Sequence, residues 1–287
     1  MKFHFIIDET IGFKDFLIKN YSSSFFGYLR QNKVIIIKQN TRINLNDTVY
    51  ENDEIDVLCD RLIQQGNVCH DHLKIVYEDN DCIVIDKDYN RACVPSHTHQ
   101  YNTVYNCLLG YFKDSENSIH FISRLDKDTS GLVLIAKNPL AACLFNKCKD
   151  QSIKAYIADT LIPLEPKHGI IELPIRRNVD NLRWVFDDGY YAKTEYNFID
   201  KIDNFYRYNV RIYTGRTHQI RVHCKYLNHP LVGDETYGGA KRFGLVGQFL
   251  CAYKISFVHP RTNEKMEFEI PLPEKFEGIL NSLRKNK

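Results

Sequence analysis

Arg124, Asp126, Lys127 and Asp128 stand together in SRLDKDTSGLVLIAK, residues 123–137, immediately ahead of a run apolar enough to form a buried strand. A carboxylate at the edge of a rigid strand can be aimed. A neighbouring cation favours its ionised form, which a nucleophile or a base requires. Ser130 and Gly131 permit the turn into the strand. The competing reading is a surface loop in which Arg and Asp pair for less than about 1 kcal/mol.

The second dense segment is YTGRTHQIRVHCKYLNHPLVGDETYGG, residues 213–239. Gly215 ends a strand, Thr217 suits an N-cap, and Ile220, Cys224 and Leu227 fall at helical spacing, which predicts a short helix. Arg216, His218, Gln219 and Arg221 lie around its first turn, where backbone donors favour an anion such as phosphate or carboxylate. Reading His218 and His223 as metal ligands would need a carboxylate or another histidine aimed at the same point. The tight soft-ligand cluster CHDH (Cys69, His70, His72) lacks a second ligand pair at zinc-finger spacing, so no metal and no small-molecule cofactor are expected.

The elements that must hold these residues are strand-rich. LKIVYEDNDCIVIDK reads as two short strands joined by EDND, and SGLVLIAK, KAYIADT, YAKTEYNFI and FYRYNVRIYTG as further strands. The alternation in the last of these suggests a sheet with one wetted face. NPLAACLFNKCKDQ predicts a helix with Asn138 as N-cap and Pro139 at the first helical position. With few helices between strands and no fixed-period repeat, the expected class is α+β with a mixed, largely antiparallel sheet.

Residues 1–58 read as a separate unit: two short helices in FKDFLIKNY and SSFFGYLRQN, a β-branched strand in KVIIIKQ and a closing strand in VYENDEIDVL. The polar stretch 59–72 reads as a linker and residues 73–287 as the main domain. A chain of 287 residues suits that division.

The 44% hydrophobic and 26% charged content is that of a globular protein with a sizeable core. Residues 1–60 carry seven Lys or Arg against nine Asp or Glu, and the whole chain has a net charge of only +2, so any nucleic-acid surface must be a local patch. No apolar run approaches the roughly 20 residues that span a bilayer, and MKFHFIIDETIGF lacks the features of a signal peptide. Nine cysteines, an odd number without framework spacing, read as reduced thiols. The expectation is a cytoplasmic protein without membrane contact, and a monomer by default.

SRLDKDTSGLVLIAK, together with GRTHQIRVH and HPLVGDETYG, resembles the RluA/RluD-type RNA pseudouridine synthase family. Its pattern runs H-R-L-D-x-x-T-S-G-L, then K-x-Y on a following strand, then G-R-T-H-Q-I-R. This chain carries the three in order, with Lys154 and Tyr156 supplied by IKAYIA. GIIELPIRR and LKIVYEDNDCIVIDK resemble further family segments, so the similarity spans residues 73–275. Two positions depart from the pattern. Ser123 replaces the histidine before Arg-Leu-Asp, and the usual Asn-Lys-Pro-x-Gly turn is altered to DKDYNRACVPS, Asp86–Ser96, which puts in question the packing of that loop and the choice of RNA.

Residues 1–58 resemble the small alpha-L RNA-binding domain of some ribosomal proteins and synthetases, which often precedes this catalytic domain, with Lys19, Arg30, Lys33, Lys38 and Arg42 on the expected RNA face.

The resemblance implies isomerisation of uridine in RNA to pseudouridine, with Asp126 as the essential carboxylate acting through either a covalent sugar adduct or a glycal. Arg221 would pair with it, and Tyr156 would lie beside the uracil ring and help remove the proton at carbon 5. A strand tyrosine that only packs is the alternative. The uridine must be flipped out of its helix. Arg124 would then fill the vacated stack, while Lys127, Arg216, His218, Gln219, Arg176 and Arg177, with Arg30 and Lys33 of the first unit, would contact RNA. Ribosomal RNA is favoured over transfer RNA by the appended module. The rival function is an RNA-binding or ribosome-assembly protein that keeps the fold without turnover.

Overall fold

The computed structural model describes residues 1–60, 64–240 and 247–285. In the first sixty, β1 (Lys2–Ile6) alternates exposed and buried side chains, which turns Phe3 and Phe5 inward. There follow β2 (Ile11–Gly12), α1 (Phe13–Asn20), α2 (Ser23–Gln31), β3 (Val34–Lys38), β4 (Thr41–Ile43), β5 (Thr48–Val49) and β6 (Glu54–Cys59). The main sheet of this unit has the order β1-β6-β3-β4. Ser22 starts α2 by accepting the Phe25 N–H at 3.0 Å. Phe5 meets Phe13 and Phe16 edge-on at 6.1 and 6.2 Å, so an aromatic cluster fills this small core.

The larger unit contains β7 (Lys74–Glu78), β8 (Cys82–Lys87), α3 (Val104–Tyr111), β9 (His120–Phe121), β10 (Ser130–Ala136), α4 (Pro139–Lys147), β11 (Ile153–Thr160) and β12 (His168–Glu172). It continues with β13 (Ile175–Arg177), β14 (Arg183–Val185), β15 (Lys193–Ile202), β16 (Phe205–Ile212), α5 (Gln219–Tyr226), β17 (Leu250–Val258), β18 (Lys265–Glu269) and α6 (Glu274–Lys285). The large sheet runs β12-β15-β16-β11-β17-β10-β8-β7, with β18 on β17 and β9 on β10. Its β10–β17 pair is parallel, and the other pairs are antiparallel. The α+β class with a mixed, largely antiparallel sheet is therefore the fold observed. Among the described residues no helix is long and apolar enough to cross a membrane.

β10 is buried along its whole length because both its faces are covered. Val133 and Ile135 enter the core under α3, while Leu132 and Leu134 pack against Phe145 of α4 and Phe257 of β17. α4 begins as its sequence predicts, with Asn138 accepting the Ala141 N–H at 2.8 Å and Pro139 in first position. Leu140 and Cys143 on the same helix join the aromatic core of the first unit. α4 is thus shared packing between the two units.

The stretch read as a linker is strapped to its surroundings where described. Gln64 exchanges two hydrogen bonds with the Ile119 backbone, at 2.9 and 2.7 Å, and Asn106 of α3 donates to the Asn67 carbonyl at 2.6 Å. Side-chain amides supply the order that the apolar pattern does not show.

Gly131 fixes where the sheet meets the Asp126 loop. It pairs with Ala252 of β17 at φ 115°, and a Cβ there would lie 2.3 Å from the Ala252 carbonyl oxygen. Only glycine allows this approach. The start of β10 is consequently drawn against β17, the strand that also neighbours β11.

Candidate active site

The loop bearing Asp126 is held by its backbone. The buried Cys93 thiol donates to the Leu125 carbonyl at 3.4 Å and accepts the Leu125 N–H at 3.3 Å. Burial raises the pKa of that thiol, which keeps it a donor. Lys87, fully buried, donates from Nζ to the carbonyls of Asp88, Arg91 and Lys127 at 2.9, 2.7 and 3.1 Å. Burial pushes this amine down to about 8. Both residues belong to the altered segment 86–96, Lys87 at the end of β8 and Cys93 beyond it, so that segment still carries Leu125 and Lys127 and fixes the residue between them. Ser123, standing where the family has histidine, is buried and accepts the Leu134 N–H at 2.9 Å, tying the loop to β10.

Arg221 projects from α5 to the same place and donates from Nη1 to Asp126 Oδ2 at 3.1 Å. Its Nε and Nη2 form a bidentate pair with buried Asp234 at 2.7 and 2.8 Å. Burial alone would lower the guanidinium pKa, but the hydrogen bonds and charges of Asp234 and Asp126 outweigh it and raise it. Arg221 is a permanent cation here.

Tyr156 comes from β11, two strands from β10. The register of β11 against β17 shifts between Ala155 and Ile157, leaving Tyr156 at a bulge, a device that re-aims a side chain. The tyrosine is 6% exposed and lines the same cleft as Asp126 and Arg221, a cavity of about 850 Å³. Burial first, and the Asp126 charge second, raise the phenol pKa, so the group is neutral.

The segment before α5 differs from its sequence reading. The helix starts at Gln219, and His218 rather than Thr217 occupies the cap position, in the left-handed region at φ 57° and ψ 20°. Gln219 causes the delay. Its Oε1 accepts the Arg216 N–H and the Thr214 hydroxyl, and its Nε2 donates to the Lys193 carbonyl and Thr194. With its amide committed internally and the residue 3% exposed, Gln219 braces the turn and has no polar atom left for RNA. A non-glycine residue at positive φ costs about 1–3 kcal/mol, and His218 is held there with Nδ1 2.8 Å from Tyr237 Oη and Nε2 3.8 Å from Asp126 Oδ1.

Of the expected RNA contacts, Arg124 is exposed, Lys127 is half-buried, and both line the cleft. Arg216 is exposed at its rim, anchored through Nε to the Tyr191 carbonyl at 2.9 Å and lying over Tyr190. Arg176 is tied to Asp188 at 2.6 Å and stacks on Phe186, whereas Arg177 is exposed. In the first unit Arg30, Lys33 and Arg42 are exposed. Lys19 is paired with Glu9, and Lys38 with Asp53 at 2.6 Å, which narrows the basic face expected there.

The metal alternatives meet specific obstacles. His223 is wholly buried between Thr194 and the Leu173 carbonyl, at 2.9 and 3.0 Å, so both ring nitrogens are engaged. Cys69 is buried, while His70 and His72 are exposed. Asp79, Cys82 and His259 do converge, with ligand atoms within 4.8 Å. There, however, Nδ1 of His259 accepts the Thr262 N–H at 3.2 Å, which places the proton on Nε2 facing Asp79 at 2.9 Å. Burial also raises the Cys82 pKa and keeps it a thiol, so this group fits an internal contact between His259 Nε2–H and Asp79 rather than a metal.

Asp234, Tyr237, Cys93 and Lys87 are the site residues that sequence reasoning did not assign. HPLVGDETYG was part of the family resemblance, but nothing local in it shows that Asp234 and Tyr237 fold back onto α5.

Comparison with known proteins adds the following. Residues 81–226 match the family model described as RNA pseudouridylate synthase. An uncharacterized RNA pseudouridine synthase of Bacillus subtilis, YlyB, is 35% identical over 87% of this chain and 84% of its own length. Ribosomal large subunit pseudouridine synthase D of Haemophilus influenzae is 34% identical over 74% of this chain and 71% of its own. The structure of human RNA pseudouridylate synthase domain containing 1 shares the fold, with a TM-score of 0.58 and 24% identity over 77% of this chain and 98% of that one.

Proposed function

We propose a substrate and a set of chemical roles from one premise: this chain belongs to the RNA pseudouridylate synthase family, in its RluA/RluD branch. It is an isomerase that converts uridine in RNA to pseudouridine. The reaction breaks the bond between C1′ and N1, rotates the uracil and forms a bond from C1′ to C5. The C5 proton leaves and N1 gains one, so no redox equivalent is consumed.

Asp126 is the carboxylate that acts at the sugar. The observation that carries this reading is the 3.1 Å contact from Arg221 Nη1 to Asp126 Oδ2 on the wall of an open cleft that Tyr156 also lines. A carboxylate held by a fixed guanidinium stays aimed, and its second oxygen remains available to ribose. Tyr156 holds the detached ring by stacking. Burial first, and the Asp126 charge second, keep Tyr156 a neutral phenol and so a poor base. Once Asp126 is neutralised, by ester formation or by taking a proton, that opposing charge disappears and the phenol oxygen is better able to assist loss of the C5 proton. Arg124, exposed at the cleft, takes the vacated place in the base stack, and Lys127 and Arg216 contact phosphates.

The proposed target is ribosomal RNA in the cytoplasm. Relatives named as ribosomal large subunit synthases, from Haemophilus influenzae and Pseudomonas aeruginosa, are 34% and 35% identical to this chain, which supports that choice. Residues 1–58, read as an alpha-L module with exposed Arg30, Lys33 and Arg42, add a second RNA contact. The working unit is a monomer, since one chain supplies Asp126, Tyr156 and Arg221.

The test is tritium release from RNA labelled at C5 of uridine, with ribosomal and transfer RNA compared. The unaltered protein is expected to release tritium from ribosomal RNA. Asp126→Asn is expected to release none while keeping its circular dichroism and melting temperature. Turnover by the Asn variant would remove Asp126 from the mechanism, and exclusive action on transfer RNA would overturn the substrate assignment.

A further inference from the structure

Tyr237 touches both side chains that face Asp126. Its ring lies under the Arg221 guanidinium, 5.0 Å from the ring centroid, and its hydroxyl is 2.8 Å from His218 Nδ1. The hydroxyl oxygen already accepts the Arg183 N–H at 3.2 Å. Burial raises the pKa of this phenol, so it keeps its proton and is free to donate it to His218. His218 in turn is kept neutral by burial, reinforced by the charges of Arg221 and Arg183 and opposed by those of Asp126 and Asp234. A neutral imidazole that accepts at Nδ1 carries its single proton on Nε2, and that nitrogen faces Asp126 Oδ1 at 3.8 Å. The reverse tautomer would set a bare nitrogen lone pair against the carboxylate.

We propose that Tyr237 and His218 form a positioning relay, in which the phenol fixes the imidazole tautomer so that Nε2–H, rather than a bare lone pair, faces the Asp126 oxygen that Arg221 does not reach. Arg221 bonds Oδ2, while the His218 N–H lies 3.8 Å from Oδ1, beyond hydrogen-bond range, and biases the carboxylate's rotation about its Cβ–Cγ bond electrostatically while leaving that oxygen open to ribose. The left-handed backbone of His218 is what directs its ring there, since the residue lies outside the helix that follows. Neither residue is proposed to touch the uracil. Both act through Asp126, and the inference rests on Asp126 being the reacting carboxylate.

The test combines a proton assignment with single-turnover rates. In the unaltered protein, nitrogen-15 correlation spectra of the histidine rings are expected to show His218 protonated on Nε2. Tyr237→Phe, which keeps the ring and loses the hydroxyl, is expected to give a tautomer mixture. His218→Asn tolerates the left-handed backbone but is too short to extend toward Asp126, and should slow single turnover by about 10-fold, measured at saturating RNA so that any change in binding is kept apart from the chemical step. His218→Gln, whose amide nitrogen falls near the Nε2 position, should recover most of that loss. Tyr237→Phe should slow the parent yet cost nothing further in the His218→Gln background, because an amide has no tautomer to fix.

A parent His218 protonated on Nδ1 overturns the relay, as does an equal cost of Tyr237→Phe in both backgrounds. Protonation on Nε2 in a protein without turnover would support the hydrogen-bond chain and overturn only the assigned reaction, because the spectra need no RNA.

Discussion

Arg221 holds two carboxylates at once: Asp234 through Nε and Nη2 at 2.7 and 2.8 Å, and Asp126 through Nη1 at 3.1 Å. The bidentate contact is the rigid one, and it leaves a single nitrogen pointing into the cleft. Asp234 therefore sets the direction from which Asp126 is held.

Removing that charge separates the structural and functional parts of the arrangement. Asp234→Asn leaves a buried guanidinium with one carboxylate, and breaking such a pair costs about 3–5 kcal/mol. The expected result in urea unfolding is a midpoint lowered accordingly, with turnover reduced in whatever protein remains folded. Arg221→Met combined with Asp234→Leu removes both charges and should recover part of the stability and none of the turnover. An Asp234→Asn protein with parental stability and rate would mean that Asp126 is aimed by something else.

Gly131 offers a test of the scaffold that leaves every charged side chain in place. Alanine there must accept φ 115° and place its Cβ 2.3 Å from the Ala252 carbonyl oxygen. Strain at positive φ and overpacking against backbone together amount to about 3 kcal/mol or more. Gly131→Ala is expected to lower the unfolding midpoint and, in the folded fraction, to slow turnover, because the Asp126 loop enters β10 through this contact. A parental midpoint would show that β10 and β17 can part there without cost.

How far the sequence reveals the site depends on whether a residue acts by its own pattern or through a distant partner. The motifs around Asp126, Tyr156 and Arg221 named three groups that the fold brings to one cleft, and the Asn138–Pro139 cap was readable because capping is local. Thr217 was a sound local choice of cap. Gln219 overrides it through contacts to Lys193 and Thr194, on a strand with no sequence link to the helix. Cys93 and Lys87 act on backbone atoms of the Asp126 loop, so the altered turn around them looked like a loss of pattern although the support remains. The basic face of the first unit is narrower than its sequence suggests because Glu9 and Asp53 meet Lys19 and Lys38 only once the unit folds.

The buried histidines give the last expectation, a stability that falls in mild acid. His120, His218 and His223 all have pKa values lowered from 6.5 by burial, so the unfolded chain binds protons at a pH where the folded one does not. The sign follows directly: their contribution is complete above 6.5 and is lost as pH falls through the depressed folded values. Asp53, Asp79 and Asp81, whose pKa values are lowered from 3.8, lose stability in the same sense only below about pH 4. Asp86 and Asp159, raised by burial, titrate in the opposite sense and partly offset the trend. Comparing variants removes that background. Urea unfolding at pH 7.5 and 5.5 should show the parent less stable at the lower pH. His223→Gln, which cannot titrate but can still bond between Thr194 and the Leu173 carbonyl, should lose less on acidification even if it starts from a lower value. An identical loss in both proteins would mean that His223 takes up its proton equally in the folded and unfolded states, which its place between two hydrogen-bond partners with no exposed surface argues against.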